Sequence, residues 1–188
     1  MTAEVLASWL LGVMVATAEP GRSRFPKEAR ETAEDGRARY AAIARAIADV
    51  ALDPAEPPVF TGDRARERTA ALLLSIAFHE SGWRRDVDLG LGPEARGGGR
   101  YYCIMQVAVD RGKKASGFTG PQLVDNRASC VRAALDILQR AQGACRGQGP
   151  DAWMRIYTSG RCTRGRKSAD ARLATARRWI TAHPLPKG

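Results

Sequence analysis

Apolar side chains recur at helical spacing through most of this chain, and this spacing limits the fold more than any other feature. Sets of apolar residues three or four positions apart mark the buried stripe of an amphipathic helix. Such sets include Leu10, Ile43, Leu73, Leu135, Ile156 and Ala176. With 188 residues, 44% of them hydrophobic, the chain can bury one core, so we predict one compact and mostly helical domain.

Polar residues and prolines predict where several of these helices begin. Asp63 is placed to cap the third helix, and either Asp125 or Asn126 can cap the fourth. Pro150 suits the first turn of a short helix, and a last helix is expected after Ser168.

Glycines interrupt the helical pattern between residues 81 and 120. Within this region the run YYCIMQVAV, residues 101–109, is typical of a short strand. The predicted fold class is therefore mostly α, of an α+β type, with a small irregular β-hairpin and loop region around residues 84–109. A functional site is expected in this region.

The first 24 residues are predicted to be an apolar helix that packs on the domain or an anchor segment. VLASWLLGVMVATA has the length of a signal-peptide core, but an acid and no Lys or Arg precedes it. The run is also too short to span a bilayer as a helix. Residues 25–188 then form the main domain, and residues 20–29 are the best candidate for a hinge.

The chain is strongly basic, with 30 Lys and Arg against 20 Asp and Glu and a net charge of +10. This balance favours a polyanionic partner, which could be nucleic acid, an acidic membrane surface or an anionic cell-wall polymer.

The cysteines are even in number and contain no C-x-x-C pair: Cys103, Cys130, Cys145 and Cys162. Only two histidines accompany them, so the pattern favours two disulfides over a metal site, and thus an oxidising compartment. If Cys130 and Cys145 lie at opposite ends of one helix, they are separated by about 22 Å and cannot pair. Two pairings remain open.

Glu80, in the run SIAFHESGW, is the candidate catalytic residue. It shares a helical stripe with Ile76 and Ala77, at the C-terminal end of its helix. Apolar surroundings and the negative helix end both disfavour ionisation, so the carboxyl is expected to stay protonated, as a general acid requires. Arg84 or Arg85 could oppose this by folding back, and a solvated helix end is the ordinary alternative.

Two other motif assignments do not fit. Trp83 stands where a zinc protease of the H-E-x-x-H type needs its second histidine, and the glycines at 97–99 lack a following G-K-[ST]. His79 lies on a different side of the helix from Glu80, and we expect Trp83 to be a packing anchor.

Four short motifs together resemble those of soluble lytic transglycosylases and goose-type lysozymes. They are ESGW at 80–83, CIMQV at 103–107, DNRASC at 125–130 and IYTSG at 156–160, in the family's order and approximate spacing. The usual forms are E-S-x-[FW], G-L-M-Q, N-x-x-x-G and A-Y-N-A-G. The resemblance covers residues 65–165 and implies a lysozyme-like domain.

Residue by residue, the resemblance implies specific roles. Glu80 matches the catalytic acid and base, and Ser81 the serine that helps orient the site. Met105 and Gln106 match the pair that lines the sugar groove, and Tyr157 the motif tyrosine. The alternative for Met105 and Tyr157 is simple core packing.

This chain also departs from the family pattern. Thr158 stands where asparagine is usual, and it keeps a hydroxyl but loses the amide. Cys103 and Cys130 replace two glycines in motifs that the family brings together near the groove. The resemblance therefore implies a Cys103–Cys130 bridge, which leaves Cys145 to join Cys162.

The resemblance implies cleavage of peptidoglycan glycan strands, with no cofactor and no metal. A hydrolase normally adds a second carboxylate, for which Asp86 and Asp88 are the nearest candidates. A transglycosylase needs none, because the sugar's own 6-hydroxyl attacks and closes an anhydro ring. The expected location is extracytoplasmic, as a secreted or periplasmic protein, or in a phage virion with virion or envelope assembly partners.

Two alternatives belong to other functional classes. One is a nucleic-acid-binding or virion structural protein that uses the basic cluster Arg161, Arg164, Arg166 and Lys167. Aromatic residues are missing from that cluster, and no nucleic acid is expected as a partner. The other alternative is a catalytically inactive lysozyme-like module that only binds glycan.

Overall fold

A computed structural model describes residues 1–22, 31–91, 98–110, 113–149 and 151–186 of the chain. The described part contains eight helices and one two-stranded antiparallel sheet. In chain order they are α1 (Ala3–Thr17), α2 (Ala33–Leu52), α3 (Ala65–Ser81), α4 (Arg85–Asp88), β1 (Tyr101–Tyr102), β2 (Val107–Ala108), α5 (Gly120–Asp125), α6 (Arg127–Ala144), α7 (Ala152–Ser159) and α8 (Arg166–Ala182). The predicted fold class, mostly helical with a small hairpin region, is confirmed.

Helix α3 lies at the centre of the fold. Every residue from 69 to 77 is buried, so this stretch of the helix is covered on all sides. Its neighbours are α1, α2, α6 and α8. Because α3 ends at Ser81, its last turn carries Glu80 from the core towards the surface.

Helix α1 packs against α2 through the apolar stripe that its spacing predicts. Leu6, Leu10, Val13 and Met14 are buried. The Trp9 indole also donates a hydrogen bond of 2.8 Å to the carbonyl of His183, just after α8. None of the helices within the described ranges combines the length and apolar character needed to cross a bilayer. The predicted boundary at residue 24, and most of the proposed hinge, lie outside the described residues.

The helix starts correct some of the predictions from sequence. Asn126 caps α6, since its side-chain oxygen accepts the backbone N–H of Ser129 at 3.1 Å. Asp63 does not cap α3, because Arg64 takes the cap position in a left-handed conformation, with φ of 55°. Helix α8 begins at Arg166, before Ser168.

The remaining helix starts to compare with the predictions are those of α7, α4 and α5. Pro150 lies outside the described residues, and Asp151 occupies the N-cap position of α7 without a side-chain capping bond. Helices α4 and α5 were not predicted. A reciprocal pair of bonds between Thr119 and Gln122 sets the start of α5, with a proline in its first turn.

The run at 101–109 is a tight hairpin rather than one strand. Tyr101 pairs with Ala108 and Tyr102 with Val107. Residues 103–106 make the turn, in which Cys103 and Gln106 adopt positive φ values of 57° and 48°. Glycine takes this conformation without strain, so the cysteine stands where a glycine would fit naturally.

Both expected disulfides are present, and the pairing that the resemblance implied is confirmed. Cys103 bonds to Cys130 and joins the hairpin turn to α6. Cys145 bonds to Cys162 and joins the end of α6 to the segment between α7 and α8. Two structural disulfides indicate folding in an oxidising, extracytoplasmic setting.

Candidate active site

The end of α3 is held rigidly by the residues that follow Glu80. Ser81 donates its hydroxyl to the carbonyl of Ala77 at 2.8 Å and accepts the backbone N–H of Trp83 at 3.2 Å. Gly82 ends the helix with φ of 60°. Ser81 therefore has a clear local role, which is to fix the turn that follows the Glu80 carboxyl.

Trp83 anchors this turn in the core. Its ring is fully buried and lies 5.0 Å from Phe78 and 5.8 Å from both Tyr40 and Trp179, measured between ring centroids. Arg39 of α2 donates a 2.6 Å hydrogen bond to the carbonyl of Trp83. These contacts pin the C-terminal end of α3 between α2 and α8.

Glu80 is paired with an arginine that the sequence analysis missed. Arg172 of α8 donates from Nη2 to Glu80 Oε1 at 2.6 Å, and the two side chains are only 11% and 20% exposed. Neither Arg84 nor Arg85 has this role, and Arg84 instead pairs with Asp86. The signal in the sequence was an arginine on the apolar stripe of α8, between Ala169 and Leu173.

Two opposing effects act on the ionisation of Glu80. Burial raises the pKa of this carboxyl, and the charge and hydrogen bond of Arg172 lower it. Burial is the larger effect, so the pKa lies above its ordinary value of 4.5. The direction expected from the sequence is confirmed, although an ion pair that the sequence did not predict reduces the shift.

A cavity of about 600 Å³ opens beside Glu80, within the size range of small-ligand sites. It lies between the end of α3, the hairpin, α7 and α8. Among its lining residues are Glu80, Arg100, Tyr101, Gln106, Tyr157, Thr158 and Arg172. The structure therefore brings three of the four motifs of the resemblance to one cavity wall.

Met105 and Tyr157 connect the hairpin to α7. The side chain of Met105 is fully buried and does not line the cavity, but its carbonyl accepts a 2.6 Å hydrogen bond from the Tyr157 hydroxyl. Burial raises the pKa of Tyr157 well above its usual range, and the negative charge of Glu80 adds to this effect. The hydroxyl therefore keeps its proton and the bond to Met105.

Gln106 and Thr158 line the cavity from fixed positions. Gln106 donates from its backbone and its side chain to the carbonyl of Cys103, both at 3.0 Å, and so closes the hairpin turn. The Thr158 hydroxyl contacts the carbonyls of Arg155 at 3.2 Å and Gly165 at 3.4 Å. Thr158 thereby ties α7 to the start of α8.

The two candidate second carboxylates lie away from the cavity. Asp86 and Asp88 belong to the short helix α4, not to a loop, and both are buried. Asp86 pairs with Arg84, and Asp88 accepts three bonds from Arg127 at the start of α6, at 2.6, 2.9 and 3.2 Å. These pairs fix the position of α4 instead of offering a free carboxylate to the cavity.

The remaining candidates have structural partners. His79 Nε2 lies 3.0 Å from the Thr175 hydroxyl, on the side of α3 that faces α8. In the described ranges, no group of three or more His, Cys, Asp or Glu side chains is arranged to hold a metal ion.

Comparisons with protein-family models, with curated proteins and with solved structures give no match to this chain.

Proposed function

We propose that this protein cleaves the glycan strands of peptidoglycan, with Glu80 as the general acid and then the base. The observation that carries the proposal is the position of Glu80. It is a largely buried carboxyl with a raised pKa, on the wall of a cavity of about 600 Å³. Cleaving a glycosidic bond requires a proton on the leaving oxygen while positive charge develops on the sugar, and such a carboxyl can supply that proton.

The surroundings of Glu80 support this proposal. Gln106, Tyr157 and Thr158 line the same cavity, and these positions match the groove residues of lytic transglycosylases and goose-type lysozymes. Polar side chains on a preformed wall can orient the hydroxyl and acetamido groups of a sugar chain. The basic charge of the chain suits the anionic bacterial wall.

The carboxylate content of the cavity favours one of the two possible reactions. Among the described residues that line the cavity, Glu80 alone carries a carboxylate. Direct hydrolysis ordinarily uses two carboxyl groups flanking the bond, whereas intramolecular attack by the sugar's 6-hydroxyl needs only one. We therefore favour the anhydro-forming transglycosylase over the hydrolase.

A second candidate function is a glycan-binding module without activity. The ion pair with Arg172 favours it, because a paired carboxylate is a poor proton donor until the pair opens. The alternative of nucleic-acid binding has less support, since Arg166 of the basic cluster already pairs with Asp170 and the cluster lacks aromatic residues on which bases could stack.

Muropeptide analysis separates these candidates. Purified protein is incubated with peptidoglycan, and the released fragments are identified by chromatography and mass spectrometry. Anhydro ends indicate the transglycosylase, reducing ends the hydrolase, and binding without release the inactive module.

The Glu80→Gln variant tests the role of the carboxyl in the same assay. We expect it to release fragments about 10²- to 10⁴-fold more slowly, because general acid catalysis is lost. Glu67→Gln, on the same helix but outside the cavity, is the matched control and should keep activity. Turnover by Glu80→Gln within about tenfold of the parent would exclude Glu80 as the acid.

A further inference from the structure

The cavity beside Glu80 carries more positive than negative charge. Arg100 and Arg172 line it together with Glu80, so the charged groups among its described lining residues sum to one net positive charge. A neutral sugar chain has no negative charge that could pair with the additional cation. A substrate that brings its own negative charge would balance it.

Arg172 is bonded below its capacity. A guanidinium can grip a carboxylate with two parallel N–H donors, but Glu80 receives one bond, from Nη2. Nη1 donates to the carbonyl of Ser168 at 2.8 Å. Nε is buried and, within the described part of the chain, has no hydrogen-bond acceptor. An unsatisfied buried donor is costly, so the present position of the guanidinium is not its best one, and a movement that gives Nε an acceptor is favoured.

The pair with Arg172 also opposes the chemistry proposed for Glu80. As long as Arg172 holds Oε1, its charge lowers the pKa of the carboxyl and favours the ionised form. A general acid must carry its proton when the glycosidic oxygen arrives. Productive binding therefore benefits from a step that takes Arg172 away from Glu80.

Resting on the proposed function, we infer that Arg172 is a substrate-binding residue that exchanges Glu80 for a carboxylate of the glycan. The substrate class is then a carboxylate-bearing glycan, with the carboxylate close to the scissile bond. In a strand without peptides this group is the lactyl carboxylate of the muramic acid residue. In a peptide-bearing strand the lactyl group is an amide, and only the peptide carboxylates remain.

The exchange links recognition of the substrate to activation of the acid. When the substrate carboxylate pairs with Arg172, Glu80 loses the cation that stabilised its ionised form. Burial then acts on the carboxyl without opposition, so Glu80 takes up a proton next to the bound glycan. Arg100 adds a second positive charge on the cavity wall for the same anion.

The test compares glycans that differ only in charge. Peptide-free glycan strands are used as they are or after carbodiimide coupling with ammonia, which converts each lactyl carboxylate to a neutral amide. The wild-type protein is expected to cleave the charged strands with a kcat/KM about 10- to 100-fold higher, as for hydrogen bonds between charged partners. Peptide-bearing strands form a third arm, and faster cleavage of these would identify the peptide carboxylates as the source.

Variants test whether Arg172 causes the preference for charged strands. Arg172→Gln should abolish the difference between charged and neutral strands, and Arg172→Lys should keep part of it. Arg178→Gln removes an exposed arginine from the same helix and should leave the ratio unchanged. If Arg172→Gln does not fold, the wild-type comparison still decides, because it needs no variant.

The failures of the two proposals are distinguishable. Equal kcat/KM values on charged, amidated and peptide-bearing strands would overturn the exchange and leave glycan cleavage by Glu80 intact. A preference that Arg172→Gln retains would also overturn it. The absence of cleavage on every glycan would instead overturn the proposed function.

Discussion

At the scale of single residues, the chemistry depends on the balance of effects at Glu80. The Glu80 carboxyl lies at the end of α3, next to α7 and α8, and each of these two neighbouring helices contributes a group. Arg172 of α8 supplies a cation, and Tyr157 of α7 supplies a hydroxyl that stays protonated and bonded to Met105. His79, next to Glu80 on α3, has a pKa lowered by burial and by nearby arginines, so it is neutral at pH 7.

This balance predicts the pH dependence of cleavage. Because burial raises the pKa of Glu80, its protonated form persists above the ordinary value of 4.5 and is lost as the pH rises through the raised pKa. Cleavage should therefore fall on the alkaline side, with a midpoint above pH 4.5. The measurement is a profile of kcat/KM against pH on peptide-free glycan strands, because kcat/KM reports the ionising groups of the free enzyme.

Thermal unfolding over the same pH range is the control, because it shows whether activity falls while the protein remains folded. A midpoint at or below pH 4.5 would contradict the raised pKa.

At the scale of elements, close packing of the hairpin on α5 sets the position of the cavity wall. A Cβ atom at Gly120, the first residue of α5, would lie 2.3 to 2.6 Å from ring atoms of Tyr102 on β1. The ring of Tyr102 therefore covers the start of α5, and only a glycine allows this approach. The same strand pairs with β2, which carries Val107 and Ala108 into the cavity wall.

Gly120→Ala tests this contact. The added methyl group must displace the Tyr102 ring, so we expect a loss of about 1 to 3 kcal/mol in the free energy of unfolding. Urea denaturation measures the change. Gly143→Ala is the control, since it lies in the last turn of α6 with no atom within 4 Å of the new Cβ.

The control should move in the opposite direction. Alanine favours the helical conformation over glycine, so Gly143→Ala is expected to stabilise by about 0.5 to 1 kcal/mol. An equal change in the free energy of unfolding for both variants would show that the packing of Tyr102 on α5 does not require a glycine at position 120.

The elements also show how far the sequence could predict this fold. Long helices with a repeated apolar stripe, such as α1 and α2, were predictable because periodicity over many residues is a strong signal. Helix α4 has four residues, and Asp88 fixes it to Arg127, which lies 39 positions further along the chain, so local sequence does not reveal this pair. Similarly, Arg64 bonds to carbonyls of Leu185 and Pro186, and such distant contacts override Asp63 as a cap.

The candidate site was predictable to a similar degree. Glu80 was identified from its place at the end of an apolar helix, and Gln106, Tyr157 and Thr158 from motif spacing. Arg172 was not, because it lies 92 positions from Glu80 and only the packing of α8 on α3 brings the two together. The burial of Asp88 likewise depends on Arg127, which lies 39 positions away.

At the scale of the whole molecule, the disulfides hold the surroundings of the cavity to α6. Cys103–Cys130 attaches the hairpin turn that carries Gln106, and Cys145–Cys162 attaches the segment that leads from α7 to α8. Both bridges are therefore expected to stabilise the fold. The first holds the turn whose Gln106 side chain lines the cavity, whereas the second holds a segment that reaches the cavity at Gly160, which has no side chain.

Breaking each bridge separately tests this difference. Cys130→Ala and Cys145→Ala each remove one disulfide and leave Cys103, with its positive φ, unchanged. The bridges span 27 and 17 residues, so the chain-entropy model gives a loss of about 3 to 4 kcal/mol for each. The melting temperature should fall by about 10 °C in both variants, since about 3 °C is lost per kcal/mol in a chain of this size. Differential scanning calorimetry without reductant measures this shift.

The two variants should differ in activity, measured well below both melting temperatures. Without the Cys103–Cys130 bridge, the turn of Gln106 retains its bonds to the carbonyl of Cys103 but loses its covalent attachment to α6. Cys130→Ala should therefore reduce the rate of glycan cleavage more than Cys145→Ala does, although both lose similar stability. Addition of reductant to the parent protein should lower the rate of glycan cleavage at least as much as Cys130→Ala does. If both variants cleave glycan as fast as the parent, or Cys145→Ala is the slower one, the first bridge does not position the cavity wall.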